Sequence, residues 1–138
     1  MTLQISPVRP DEREAVVALW NDTGLTRPWN DPHADLERAL HGPNSTVFAA
    51  REGDRLVGTA MVGHDGHRAW VYYVAAAPER RGQGIGQALM AAAEGWARER
   101  DIPKLQFMVR DDNQDVLDFY AHLGYERQSV VVLGRRLD

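Results

Sequence analysis

The seven residues RRGQGIG, Arg80 to Gly86, put three glycines at alternate positions between a strand-like run, RAWVYYVAA at 68–76, and a helix-like run, IGQALMAAAEGWARER at 85–100. Each glycine costs about 0.5–1 kcal/mol of conformational entropy relative to alanine, so three together need a reason. At a helix start the first N–H groups have no intrahelical partner and carry the positive end of the dipole. Bare backbone at that place admits an anion, phosphate above all. Arg80 and Arg81 add charge beside it, and a guanidinium suits a bidentate phosphate contact.

Working outward from this turn, Ile85, Leu89, Ala92 and Trp96 fall on one helical stripe, which makes 84–100 the most strongly patterned helix. KLQFMVR, 104–110, alternates Leu105, Phe107 and Val109 and reads as a strand, so strand 66–76, helix 84–100 and strand 104–110 form one right-handed βαβ crossover. Ligands in such a unit favour the carboxyl ends of the parallel strands, where RRGQGIG lies. Upstream, TVFAARE and RLVGTAMVG flank the turn residues Gly53 and Asp54, and HDGH at 64–67 leads into the third strand of an antiparallel meander. Leu3 to Val8 reads as an opening strand. A helix carrying Val16, Leu19 and Trp20 follows, then a loop, TRPWNDP, and a second helix from His33 to His41 after Asp31. Near the end, Asp112 is a plausible N-cap for a helix bearing Val116, Phe119, Tyr120 and Leu123 and stopping at Gly124. The final YERQSVVVLGRRL, 125–137, is β-branched enough to return to the sheet.

The 138 residues suit one domain spanning 1–138, with no repeat or linker. With 43% apolar and 26% charged residues the composition is that of a globular protein. No apolar leader or membrane-length stretch occurs, so the expectation is a soluble cytoplasmic protein without membrane association. The absence of cysteine excludes thiolate nucleophiles, disulfides and thiolate metal sites. His64 and His67 bracket a turn without a third ligand at metal spacing, so no metal is expected. A net charge of −4 counts against nucleic acid.

Two phosphate loops fail on this chain. No Gly-Lys pair exists for a P-loop, and the dinucleotide pattern G-x-G-x-x-G would need its third glycine at 87, where Gln87 stands. What fits is R-x-x-G-x-G, read as Arg81, Gly84 and Gly86, after YYVAAA and before N-x-x-x-x-x-F-Y-x-x-x-G-Y, which runs from Asn113 to Tyr125. With these two motifs in that order, the chain from about Thr46 to Tyr125 resembles the GCN5-related N-acetyltransferase (GNAT) superfamily, which binds acetyl-CoA. The resemblance implies an α/β (α+β) fold, a mixed central sheet of six to seven strands flanked by four helices. It also implies that backbone groups of the Val74, Ala75, Ala76 stretch hold the pantetheine arm. The turn through Arg81, Gly82, Gln83, Gly84, Ile85 and Gly86, with Gln87, would hold the pyrophosphate. Asn113 would hydrogen-bond the pantetheine arm or cofactor backbone, and Tyr120 would lie near the thioester sulfur. The parallel strands, ending near Val74 and Arg110, would splay to admit the cofactor. Homodimers are common in the superfamily, and the Val130 to Leu133 run is a candidate for such an interface.

Acetyl transfer to an amine needs a neutral amine, an oxyanion donor and a proton for the leaving thiolate. A backbone N–H near Val74 serves the second need and the Tyr120 phenol the third. The stripe with Val116, Phe119 and Leu123 would bury Tyr120 in any case. Many superfamily members carry a glutamate on the strand before the glycine turn, whereas AWVYYVAA carries no acid. Tyr72, placed on the face of Val74 by strand alternation, would shape the acceptor site or relay a proton through water. Trp29, Asn30 and Asp31 between the rigid prolines suit a lid presenting an aromatic wall and a carboxylate to a cationic acceptor. The missing glutamate leaves open a non-catalytic acyl-CoA sensor or interaction module on the same fold.

Overall fold

Alternating apolar residues over 45–76 produce three long antiparallel strands, and these organise the computed structural model, which describes residues 2–138. In chain order the elements are β1 (Leu3–Pro7), α1 (Arg13–Asp22), α2 (Pro32–His41), β2 (Ser45–Glu52), β3 (Arg55–His64), β4 (Ala69–Ala76), α3 (Ile85–Glu99), β5 (Leu105–Phe107) and α4 (Gln114–His122). Short 3₁₀ turns at Pro10–Glu12 and Pro78–Arg80 lead into α1 and into the glycine turn. The sheet order is β1-β2-β3-β4-β5, antiparallel except for the parallel β4–β5 pair closed by α3. By contact density the chain falls into two units, one up to Met108 and one over Val109–Asp138.

Neighbouring residues of β3 show how the first unit is layered. A Cβ on Gly58 would come within 2.7 Å of Ile85 Cγ2 and 2.9 Å of the Ala75 carbonyl oxygen, so glycine here lets α3 pack tightly on one face. The next residue, Thr59, turns to the opposite face and accepts a hydrogen bond from Trp20 Nε1 of α1 at 2.9 Å. The interior is built from Val47, Ala49, Val57, Val62 and Leu89, with Val16, Trp20 and Leu36 from the first two helices. No helix among the described residues is long and apolar enough to cross a membrane.

The sheet has five strands rather than six to seven. Residues 125–137 form no strand: Val130, Val131, Val132 and Leu133 are exposed, Leu133 by 91%. β-propensity describes fit to a pleated, half-buried surface, and a β-branched run with no ladder partner stays irregular. β5 is confined to Leu105–Phe107, and the N-cap of α4 is Asn113 rather than Asp112.

Arg51 carries a full positive charge buried inside the first unit. The bulge between Ala50 and Arg51 interrupts the β2–β3 register there, and the guanidinium meets Glu12 through Nε and Nη2, both at 2.5 Å. Ser6 Oγ and the Pro7 carbonyl accept from Nη1 and Nη2 at 2.7 and 3.1 Å. Hydrogen bonding to Arg51 holds the Glu12 carboxyl below the usual glutamate range. Removing one partner of such a buried pair leaves the other uncompensated. We therefore expect Glu12→Ala to lower unfolding stability by about 3–5 kcal/mol in urea titrations at neutral pH. Because the folded carboxyl is the more acidic one, the wild type loses this contribution as pH falls from about 4.3 through the folded value, while Glu12→Ala shows no such increment. A loss under about 1 kcal/mol at neutral pH would rank the pair with surface ion pairs.

Candidate active site

Two of the three glycines in RRGQGIG adopt backbone that other residues rarely reach. Gly82 and Gly84 have φ of +79° and +80°, and open space surrounds the position of a Cβ at either. Gly84 is the N-cap of α3 and Gly86 lies in its first turn. The first intrahelical bond is donated by Ala88 to the Gly84 carbonyl at 3.0 Å, so the N–H groups of Ile85, Gly86 and Gln87 have no acceptor within the helix. Of the four α-helices only α3 has neither a side-chain cap nor an acidic residue in its first turn. Ile85 is buried and anchors the helix start on Gly58, while Gln83 and Gln87 are exposed. The two arginines separate in role. Arg80 donates from Nε to Glu52 at 2.5 Å and ties the turn to the sheet, whereas Arg81 is exposed and has no carboxylate partner among the described residues. Of the two arginines expected to meet an anion, Arg80 is thus engaged by Glu52 and Arg81 is not.

The strand feeding this turn is irregular where the chemistry was expected. Thr59 pairs with Ala75 and Met61 with Tyr72, so Tyr73 and Val74 of β4 together oppose the single residue Ala60. Tyr73 takes φ +53°, unusual for a bulky side chain, and this marks a β-bulge with the first residue in the left-handed region. The parallel ladder with β5 covers Ala69, Trp70 and Val71 and ends two residues before the bulge. Beyond Val71, the edge of β4 that carries Val74, Ala75 and Ala76 has no ladder partner on the β5 side among the described residues, because β5 ends at Phe107. The same bulge overturns the placing of Tyr72 beside Val74. Thr59 and Met61 share a face of β3, so Tyr72 shares its face with Ala75, three residues on. Tyr72 is 44% exposed, and desolvation raises its phenol above the ordinary tyrosine range.

An acid does reach β4, but from another element. Tyr73 Oη donates to Asp35 Oδ2 of α2 at 2.8 Å, and Asp35 Oδ1 accepts from Arg38 Nη2 at 2.5 Å. The Tyr73 ring stacks on Trp20 with centroids 3.8 Å apart and planes 13° from parallel. Burial first, and then the Asp35 hydrogen bond, push the Tyr73 phenol up, so it remains a donor. Sequence reasoning missed Asp35 because no local pattern couples it to a residue 38 positions later. Asp31, the carboxylate expected to face an acceptor, caps α2 through Oδ1, accepting from the N–H groups of His33 and Ala34 at 3.0 and 3.3 Å. Trp29 is 58% exposed beside Asn30, in a loop braced by Arg27 donating to the Gly24 and Thr26 carbonyls. An open recess of about 580 Å³ between β2 and the later turns of α3, bordered by Phe48, Trp96 and Arg100, includes none of these residues.

In the second unit Asn113 caps α4, its Oδ1 accepting from the Val116 N–H at 3.3 Å, which leaves its amide nitrogen for any further contact. Tyr120 meets Phe119 and Tyr125 edge-on, with centroids 5.1 and 6.0 Å apart. Burial pushes its phenol up to about 12. A group so placed keeps its proton at neutral pH and can act as a donor but not as a resident phenolate.

Known proteins of the same kind bear on these features. The model of the Acetyltransferase (GNAT) family matches residues 13–125. An acetyltransferase of Pectobacterium atrosepticum is 43% identical over 136 residues, covering 98% of this chain and 96% of its own. An acetyltransferase of Yersinia pestis is 40% identical over 135 residues, with the same coverage of both chains. Among solved structures, the aminoglycoside acetyltransferase AAC(6')-Iy in complex with the bisubstrate analogue CoA-S-monomethyl-acetylneamine superposes with a TM-score of 0.86 at 17% identity, covering 99% of each chain. A ribosomal-protein-alanine N-acetyltransferase of Brucella melitensis superposes at 0.79 with 19% identity, covering 98% of this chain and all of its own. At those identities the two structures speak to the fold alone, while the family match spans most of the sequence. The chain belongs to the GNAT family of acetyltransferases.

Proposed function

We propose that this protein is an acetyl-CoA-dependent N-acetyltransferase that moves an acetyl group directly to a primary amine of a small molecule or peptide. The observation that carries the reading is the uncapped start of α3 behind two left-handed glycines, with Arg81 exposed beside it and without a carboxylate partner among the described residues. Three backbone donors, no Cβ in the way and a guanidinium together suit a pyrophosphate. In this reading Val74, Ala75 and Ala76 offer the free edge of β4 to the pantetheine arm, and the Val74 N–H faces the negative charge that builds on the thioester oxygen. The acceptor nitrogen attacks the thioester carbonyl and the C–S bond breaks. The amine proton leaves to water, the Tyr120 hydroxyl proton passes to sulfur, and the phenol is refilled from solvent.

A cationic acceptor is favoured by what surrounds β4. Trp29 supplies an exposed aromatic face on the loop before α2, while the Asp35 carboxylate against Tyr73 is already paired with Arg38. The solved neighbours named for aminoglycoside and protein-alanine acetylation agree with an amine acceptor of either size. The test is release of free thiol from acetyl-CoA in the presence of a panel of polyamines, aminoglycosides and peptides. Amine-dependent release establishes the activity; binding of acetyl-CoA without release under any amine would favour the sensor reading. Homodimer formation belongs to the same proposal, because Val130 to Leu133 expose a continuous apolar run. A solution mass of one 15.5 kDa chain at micromolar concentration would remove it.

A further inference from the structure

Tyr73 is held at three points. Its ring lies on Trp20, its hydroxyl is bound by Asp35, and its carbonyl oxygen accepts from Thr59 Oγ1 at 3.0 Å. Thr59 in turn accepts from Trp20 Nε1 at 2.9 Å, which leaves its single hydroxyl proton for the Tyr73 carbonyl. Trp20 and Thr59 are both fully buried, so the bond between them does not compete with water. A positive φ at a tyrosine persists only where the surroundings over-determine it, and here they fix the ring, the hydroxyl and the carbonyl.

The carbonyl of Tyr73 and the N–H of Val74 belong to one peptide group. That group is planar and trans, so the two bonds point in opposite directions. A Tyr73 carbonyl drawn to Thr59 of β3 turns the Val74 N–H away from Thr59, towards the side on which the β4–β5 ladder has already ended. Accepting a hydrogen bond at its oxygen also polarises the peptide and strengthens its N–H as a donor. We propose that Thr59 and Trp20 are positioning residues that aim and polarise the Val74 N–H for the acyl oxygen, acting through the Tyr73 carbonyl. This rests on the N-acetyltransferase reading and adds to it two buried residues from β3 and α1 with no expected contact to either substrate.

The experiment compares Thr59→Val, Thr59→Ser and Trp20→Phe with the wild type, measuring kcat, KM and the calorimetric Kd for acetyl-CoA. Thr59→Val keeps the shape and removes the hydroxyl; Thr59→Ser restores it; Trp20→Phe keeps an aromatic ring over Tyr73 and removes the N–H that orients the hydroxyl. The expected result for Thr59→Val is a fall in kcat of about 10- to 100-fold, less than the outright loss of an oxyanion donor. Its Kd for acetyl-CoA stays within about twofold, because the pyrophosphate contacts lie elsewhere. Thr59→Ser recovers most of the rate, and Trp20→Phe gives a smaller fall in kcat. Folded Thr59→Val and Trp20→Phe variants that turn over like the wild type would overturn the inference. So would failure of both to fold, since the network would then act on stability alone. A wild type with no amine-dependent turnover would remove the N-acetyltransferase reading itself, and this inference with it.

Discussion

Tyr120→Phe is expected to lower kcat by about 100-fold while leaving the Kd for acetyl-CoA within about twofold, because proton transfer by a positioned acid contributes roughly 10²–10⁴ in rate. Phenylalanine keeps the edge-on contacts with Phe119 and Tyr125, so the helix around it survives and the change reports on the hydroxyl alone. The pH profile separates this role from others. Burial raises the phenol to about 12, so Tyr120 stays protonated wherever the enzyme is assayed. Its proton is therefore not the one whose loss limits the rate in the neutral range. The acceptor amine, with an unperturbed pKa of roughly 10, must lose its proton first, so kcat/KM rises with pH and shows no descending limb before about pH 11. A descending limb with a midpoint near 8 or 9, unchanged in Tyr120→Phe, would assign the acid to another group.

The double change Arg81→Glu, Gly84→Asp is expected to weaken acetyl-CoA binding by more than about 100-fold, since like charges facing across a contact cost several kcal/mol. Aspartate at 84 places a carboxylate where the pyrophosphate is expected. At φ +80° an L side chain is strained even though nothing lies within 4 Å of the new Cβ, and aspartate tolerates that region better than most residues. Arg81→Glu alone, which leaves the backbone untouched, is therefore measured beside the double variant. Circular dichroism and a melting temperature near the wild-type value would show that the loss is one of binding. Retention of binding within threefold in a folded variant would move the cofactor away from the glycine turn.

The sequence was most informative where physical constraint is local. The glycine turn, the α3 stripe and the meander of β2, β3 and β4 follow from spacing and turn chemistry, and each lies within three residues of its expected place. Long-range coupling was not legible. Nothing in the order of residues joins Thr59 to Trp20, or Tyr73 to Asp35, although these bonds define the bulge. Strict alternation failed at Tyr72 because a bulge inserts one residue and shifts the phase beyond it. Val130 to Leu133 misled for a different reason, since β-branched composition expresses a preference that only a neighbouring strand can satisfy. Asp31 and Asn113 each cap a helix through one side-chain oxygen, a role that composition alone does not separate from the ligand contacts expected of them.

The central claim is that the glycine turn and the free edge of β4 form an acyl-CoA site. Its most direct test is calorimetric titration of the wild-type protein with acetyl-CoA at moderate ionic strength. Saturable binding of one cofactor per chain is expected, lost in the Arg81→Glu, Gly84→Asp variant. No heat and no protection from thermal unfolding at millimolar acetyl-CoA would contradict it, and would reduce the turn before α3 to a connection between strand and helix.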